Sequence, residues 1–152
     1  MVVVPKPKQI KSEKALKSAV KYILNPQKTD EQVLTSGFHI NNLNFGDVEM
    51  GYTRMLARKM VGRQNKQVLA QHLVQSFRYE DGLSAEEIHQ IGREWIEQLT
   101  GGKHEYIIAT HIDKGHIHNH IIFNTTSNVD FKNFRWKKDT LKIARELSDK
   151  VS

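Results

Sequence analysis

The sequence predicts an α+β fold, a two-layer sandwich in which α-helices cover one face of a mainly antiparallel β-sheet. Three observations support it. Four segments repeat apolar residues at helical spacing, other segments alternate apolar and polar residues as strands do, and two of these strands follow each other directly through the turn Lys114-Gly115. The second face of such a sheet stays open, and we expect it to hold the functional site.

The predicted helices and strands follow in the order αβαβαββα. Ser12 can cap the first helix, and Asn25-Pro26 ends it. Ser84 and Glu87 form a capping box for the third helix, which Gly101-Gly102 stops. The expected elements are helices over 12–24, 45–61, 85–99 and 137–151, and strands over 31–36, 66–78, 105–113 and 116–126.

Two of these elements place particular side chains. The strand over 66–78 has Leu73 and Phe77 on one side and His72 and Ser76 on the other. The second helix repeats apolar residues at helical spacing, and these are Val48, Tyr52, Met55, Leu56 and Met60.

The composition excludes a membrane span and cysteine-based sites and favours an acidic partner. A chain of 152 residues fits one domain, here residues 1–152, and no run approaches the roughly 18–20 apolar residues of a membrane span. The absence of cysteine excludes disulfides and thiolate metal sites and suits a reducing cytoplasm. The net charge of +6 favours a phosphate-rich partner, nucleic acid first. Lys14, Lys17 and Lys21 share one face of the first helix, where they can neutralise backbone phosphates.

A histidine-rich hairpin is the main candidate site. A two-residue turn pairs Asp113 with His116 and His111 with His118, and partners directly opposite have Cβ atoms about 4.5–5.5 Å apart. His120 lies two residues beyond His118 and therefore points to the same face. His111, His118 and His120 should converge on one small patch.

Three converging imidazoles would repel one another if protonated, whereas a divalent cation holds them neutral. Three protein ligands with open positions are typical of a catalytic metal site. Asp113 can accept a hydrogen bond from an imidazole, His116 is its cross-strand neighbour, and Asn124 lies on the same face, where it could hydrogen-bond substrate or a ligand. The alternative is a solvent-facing hairpin surface that is merely rich in histidine.

The motifs resemble those of relaxases, the mobilisation nucleases of conjugative plasmids and transposons within the HUH endonuclease superfamily, and most closely the P class. The third relaxase motif is matched by His111-x-Asp113-x4-His118-x-His120-x3-Asn124. The first is matched by Ala19-Val20-Lys21-Tyr22-Ile23-Leu24-Asn25-Pro26-x-Lys28-Thr29. The second is matched by His72-x-x-Gln75-Ser76-Phe77, followed by Glu86-Glu87-x-His89-x-Ile91-Gly92. There are two departures. His116-Ile117-His118 fits the superfamily's His-hydrophobe-His pair better, which makes His116 the reserve ligand. Relaxases of this class also usually have further residues after these motifs, so the resemblance implies that this chain is a short form or a trimmed nuclease domain.

The resemblance implies a site- and strand-specific DNA relaxase of the bacterial cytoplasm that can travel with its DNA to a recipient cell. Tyr22 would attack the scissile phosphate at the origin of transfer and form a 5′-phosphotyrosine, with Mn²⁺ or Mg²⁺ held by the three histidines; Tyr79 is the reserve nucleophile. Single-stranded DNA, an accessory DNA-binding protein and the conjugation machinery would be the partners. The residues expected to contact DNA are Ser76, Lys14, Lys17, Lys21, Arg78 and Lys114.

Three other functions compete with this one. A rolling-circle replication initiator would use the same chemistry, but its histidines usually precede its tyrosine, and here Tyr22 comes first. A non-catalytic binder would use the sheet face as a platform for single-stranded nucleic acid. A metal-dependent hydrolase would use water and leave no covalent product.

Overall fold

The computed structural model describes residues 2–62, 68–113 and 115–152. The chain folds as a five-stranded antiparallel sheet with four α-helices, so the predicted α+β class is confirmed. The strands lie in the order β1-β3-β5-β4-β2. The elements are β1 (Lys8–Ile10), α1 (Glu13–Ile23), β2 (Thr35–Phe38), α2 (Gly46–Val61), β3 (Ala70–Arg78), α3 (Ala85–Thr100), β4 (Tyr106–Asp113), β5 (His116–Asn124) and α4 (Thr140–Val151).

The helices cover both faces of the sheet, which differs from the expected two layers. On one face α3 and α4 pack over Ile108 and Ile121, and on the other α1 and α2 pack over Ile107 and Ile122. The cause is that β4 and β5 each place apolar residues on both faces at this end, and both faces then need cover. Only the far end of the second face, where the histidines lie, stays open.

The first and third helices begin as predicted. The Ser12 side chain accepts a hydrogen bond from the Ala15 N–H at 3.1 Å, and Ser84 and Glu87 form the expected capping box. The first helix buries Leu16, Val20 and Ile23, and its last turn therefore turns Tyr22 outward.

The edge strands were predicted less well. The expected strand over 31–36 is a turn in its first part, because Asp30, Glu31 and Gln32 have positive φ angles of 51°, 57° and 67°, and β2 begins only at Thr35. The three-residue β1 was not predicted, since a strand this short has no readable alternation. Residues 66 and 67 of the expected strand over 66–78 lie outside the described residues.

The second helix buries a different face from the one its apolar residues indicate. Val48, Tyr52 and Met60 are 61%, 57% and 70% exposed, whereas Thr53 and Arg54 are buried. Arg54 turns inward, where its guanidinium donates hydrogen bonds to the Asn124 amide oxygen of the sheet and to Glu13 of α1. None of the helices in the described residues is long and apolar enough to cross a bilayer.

Candidate active site

The histidine hairpin has the predicted register. His111 pairs with His118 and Asp113 pairs with His116, and Gly115 adopts the left-handed φ of 80° that a tight turn needs. The β3 strand pairs with the other edge of β5 and brings Ser76 opposite His118. The site is therefore built on three adjacent strands, which hold its side chains more rigidly than loops would.

The three predicted histidines lie together on the open end of the sheet. The ring centroids of His111 and His120 are 4.2 Å apart, and those of His118 and His120 are 6.2 Å apart. His111 is almost fully buried, whereas His118 and His120 are half-buried. His116 is exposed at the rim, with its ring 5.8 Å from that of His118.

A fourth histidine joins this cluster, and sequence reasoning did not assign it a role. His72 of β3 shares a hydrogen bond with His120 between Nε2 and Nδ1 at 3.0 Å. The alternation of the strand over 66–78 already placed His72 on the same side as Ser76. The missing information was that this strand pairs with the second strand of the hairpin.

Tyr22 lies beside the cluster although it belongs to a distant part of the chain. Its ring meets those of His111 and His120 edge-on, with centroid distances of 5.7 Å and 5.9 Å, and its side chain is 51% exposed. A hydrogen bond of 2.7 Å between His111 Nε2 and the Ile23 carbonyl ties the end of α1 to β4. The nucleophile candidate is thus both anchored and accessible.

The other tyrosines are placed differently. Tyr106 is buried in the core on the opposite face, as its position in the strand predicted. Tyr79 donates its hydroxyl hydrogen to the Asp113 carbonyl at 2.6 Å. Tyr52 lies on the exposed face of α2. Only Tyr22 has ring contacts with the histidine cluster among the described residues.

Burial keeps the clustered imidazoles neutral. It lowers the pKa of His72 to about 4 and that of His120 to about 2, and the charges of neighbouring groups act in the same direction. Burial also lowers the pKa of His111, although its bond to the Ile23 carbonyl opposes the shift. The pKa of His118 falls through burial, partly offset by Asp113. All four rings are therefore unprotonated near pH 7, the state in which imidazole binds metal.

The donor chemistry fits a divalent cation, but the present ring orientations do not converge on one point. Across residues 2–62, 68–113 and 115–152, no group of three or more His, Cys, Asp or Glu side chains is arranged to hold a metal ion. The reason is visible in the hydrogen bonds, since His111 Nε2 is engaged by Ile23 and His120 Nδ1 by His72. Ligation by His111 would use its Nδ1 or require its ring to turn.

Asp113, expected to accept a hydrogen bond from an imidazole, lies at the edge of the cluster. Its carboxylate is 3.9 Å from His118 Nε2 and 3.5 Å from Lys28 Nζ. Both the lysine and the carboxylate are partly exposed, so this ion pair contributes little to stability.

Asn124 shares the face of the histidines but not their surroundings. Its side chain is fully buried at the covered end of the sheet. It donates to the Met50 carbonyl at 3.1 Å and to Glu105 at 2.9 Å, and it accepts from Arg54 at 3.3 Å. These bonds hold the Asn124 amide in an interior network that links α2 to the sheet. The amide is therefore not available to the histidine cluster.

The residues expected to contact DNA do not all lie together. Lys17 and Lys21 line a hollow between α1 and α2, whereas Tyr22 lines a separate groove with His72 and His120. Ser76 lies half-buried opposite His118, and its backbone exchanges hydrogen bonds of 3.0 Å and 2.9 Å with Val3. Arg78 is exposed and pairs with Glu80 at 3.2 Å. The exposed face of α1 carries Lys14, Lys17 and Lys21. Lys114 lies outside the described residues.

Comparison with known proteins gives a consistent picture. Residues 22–152 match the model of a protein family described as relaxase, MobA/VirD2-like, nuclease domain. The chain is 39% identical over 145 residues to the group II intron-interrupted relaxase LtrB of Lactococcus lactis subsp. cremoris, an alignment covering 83% of this chain and 26% of that protein. It is 30% identical over 79 residues to the protein rlx of Staphylococcus aureus, which covers 52% of this chain and 23% of that protein. The chain thus spans about a quarter of the length of these relatives.

Proposed function

The chain belongs to the MobA/VirD2-like relaxases, as its motifs indicated, and from that premise we propose that it nicks one DNA strand at the origin of transfer of a mobile element. Residues 1–152 would form the nuclease domain, acting in the bacterial cytoplasm. The observation that carries this proposal is the contact of the Tyr22 ring with His111 and His120.

The proposed reaction is a transesterification. The Tyr22 Oη attacks the scissile phosphorus while the bond from phosphorus to the 3′ oxygen breaks, and the DNA remains attached as a 5′-phosphotyrosine. The phenol proton is released to solvent at the exposed Tyr22 side chain, and the departing 3′ oxygen takes up a proton from solvent. A free phenol has a pKa near 10 and is mostly protonated at pH 7, so this attack needs activation of the nucleophile or of the phosphate. Because no water consumes the ester, the free 3′-OH can reverse the reaction and rejoin the ends.

We assign His111, His118 and His120 as ligands of a divalent cation, Mn²⁺ or Mg²⁺, with His116 as the reserve. The neutral state of these imidazoles supports that assignment. A bound cation would polarise the phosphate oxygens and stabilise the charge of the transition state. Asp113, which lies 3.9 Å from His118, would help to orient that imidazole.

The substrate would be single-stranded DNA that crosses the open end of the sheet. Ser76 would contact the strand near the cleavage point, and cationic side chains further along the strand's path would neutralise phosphates. An accessory DNA-binding protein and the conjugation machinery remain proposed partners. The cationic side chains are Lys14, Lys17, Lys21, Arg78 and Lys114.

A covalent-adduct assay tests the proposal. The protein is incubated with Mn²⁺ and a labelled single-stranded oligonucleotide that carries the origin of its own element, and adducts are resolved on a denaturing gel. Wild type should give a labelled protein band that a chelator prevents, and Tyr22→Phe should give none while it still binds DNA. Tyr52→Phe and Tyr79→Phe are the matched controls and should keep the band. An adduct that persists in Tyr22→Phe contradicts the nucleophile assignment, and tight binding without any adduct favours a non-catalytic binder.

A further inference from the structure

A groove of about 560 Å³ opens beside Tyr22, between the N-terminal segment and α1. His72, Val74 and His120 line it from β3 and β5, so the groove leads directly into the histidine cluster. Its other lining residues come from the N-terminal segment and α1, and they are Pro5, Lys6, Lys8, Gln9, Ile10, Ala15, Ser18, Ala19 and Tyr22.

The N-terminal wall of this groove is fixed in place. The β1 strand pairs with β3 so that Lys8 stands opposite His72. Further back, Val3 forms a bridge with Ser76, and Val4 is buried, with its carbonyl accepting a hydrogen bond from Arg145 Nε at 3.0 Å. The segment is therefore held to the sheet at two places and forms a wall with a defined shape.

The chemistry of the groove suits one class of ligand. Ile10, Ala19 and Val74 give it apolar surface, while Lys6 and Lys8 are exposed on its rim. No carboxylate occurs among its lining residues within the part of the chain that the structure describes. A groove with an apolar lining, a cationic rim and this volume fits a flat base joined to an anionic phosphate. The hollow on the opposite side of α1 also has two lysines, Lys17 and Lys21, but it is lined by Asp47 and lacks Tyr22 and the histidines, so a nucleotide bound there would not lie at the reacting tyrosine.

We propose that this groove binds one unpaired nucleotide next to the scissile phosphate. Its base packs between Ala19 and Val74, and its phosphate is neutralised by Lys6 and Lys8. This proposal rests on the nicking function in one respect only, namely that the phosphate next to the bound nucleotide is the one that is cleaved. The groove itself would select for single-stranded DNA, because a paired base could not enter it.

Binding measurements with two variants test the groove. Lys6→Ala/Lys8→Ala removes the cationic rim, and Lys142→Ala/Lys150→Ala removes two exposed lysines of α4 as the matched control. Fluorescence anisotropy with a labelled mixed-sequence single-stranded oligonucleotide should show affinity about tenfold weaker for the first variant, with a salt slope smaller by about 0.7 per lost phosphate contact. The control should stay within about twofold of wild type.

A second variant fills the groove without changing its charge. Ser18 is an exposed residue of α1 that lines the groove, so Ser18→Trp should occupy the space of the base and weaken binding about tenfold. Gln98→Trp, on the exposed side of α3, is the control and should bind like wild type. Urea unfolding of each variant checks that the fold is unchanged.

The outcomes separate this proposal from the nicking function. Wild-type affinity in either Lys6→Ala/Lys8→Ala or Ser18→Trp overturns the groove assignment, whether or not Tyr22 forms an adduct. Weakened binding in both variants supports the groove even where wild type forms no covalent adduct, a result that would reject the nicking proposal alone.

Discussion

His72 and His120, on the neighbouring strands β3 and β5, share a hydrogen bond of 3.0 Å between Nε2 and Nδ1. For His120 to present an unprotonated Nε2 to a cation, its Nδ1 must carry the proton and donate it to His72. A partner of this kind fixes both the tautomer and the orientation of a metal-binding imidazole. We therefore regard His72 as a positioning residue for His120.

Removal of this partner should weaken metal binding. We predict that His72→Phe lowers Mn²⁺ affinity about 10–100-fold, because His120 loses its acceptor. His72→Gln retains an acceptor oxygen and should recover part of the affinity. Isothermal titration calorimetry without DNA measures the effect, with His39→Phe, at an exposed site away from the cluster, as the control. Equal affinity in His72→Phe and wild type would contradict the positioning role.

The buried histidines should make stability depend on pH. Burial holds the pKa of His72 near 4 and that of His120 near 2, below the value of 6.5 expected in the unfolded chain. Their contribution is fully present above about pH 6.5 and is lost as the pH falls, because the unfolded state takes up protons that the folded state does not. Each imidazole can remove up to about 1.4 kcal/mol per pH unit between about pH 6 and 4. Urea unfolding at about pH 7 and pH 5 measures this loss, and equal stability at both would contradict it.

Asn124→Ala should reduce stability and leave DNA affinity nearly unchanged. The substitution removes the amide's buried hydrogen bonds to Arg54 and Glu105, which keep only their bonds to Glu13 and Thr53, at a cost of about 2–4 kcal/mol. Urea unfolding measures the free energy, and Gln98→Ala on the surface serves as the control. A stable Asn124→Ala protein that binds DNA poorly would instead support the substrate contact that the sequence suggested.

Two helical glycines should respond in opposite ways to alanine. A Cβ on Gly92 would lie 2.5 Å from Asn119 Nδ2 and 2.6 Å from Ile108 Cδ1. Asn119 is hydrogen-bonded within the core and cannot move away cheaply, so Gly92→Ala should cost about 1–3 kcal/mol. Gly51→Ala meets no atom closer than 3.4 Å and should gain up to about 1 kcal/mol from helix propensity. The unfolding free energies of the two variants test this contrast, and a stabilised Gly92→Ala would contradict the close packing of α3 on the sheet.

The hairpin was predictable because two local rules determine it. Alternation sets which side chains share a face, and a two-residue turn sets which residues stand opposite. His111 and His118 therefore fell into place from the sequence. The role of His72 depends on the pairing of β3 with β5, a non-local contact that alternation alone does not reveal.

Whether a side chain is buried was harder to predict than which face of its strand or helix it lies on. Asn124 lies on the predicted face, but whether that part of the face is open depends on where α2 packs. Val48 and Tyr52 have the spacing of a buried helix face, yet both are exposed. The helix instead buries Arg54, which donates a hydrogen bond to Asn124. The place of Tyr22 followed from motif resemblance, since no local pattern connects the end of α1 with the hairpin.

Peptide mapping of the covalent adduct tests the central claim most directly. Trypsin cleavage after Lys21 and Lys28 releases a peptide in which Tyr22 is the only tyrosine. After the reaction with Mn²⁺ and origin DNA, followed by nuclease and trypsin digestion, mass spectrometry should find this peptide carrying a nucleotide through its 5′-phosphate. DNA cleavage with the nucleotide on a different peptide, or on none, would contradict the assignment of Tyr22 as the nucleophile.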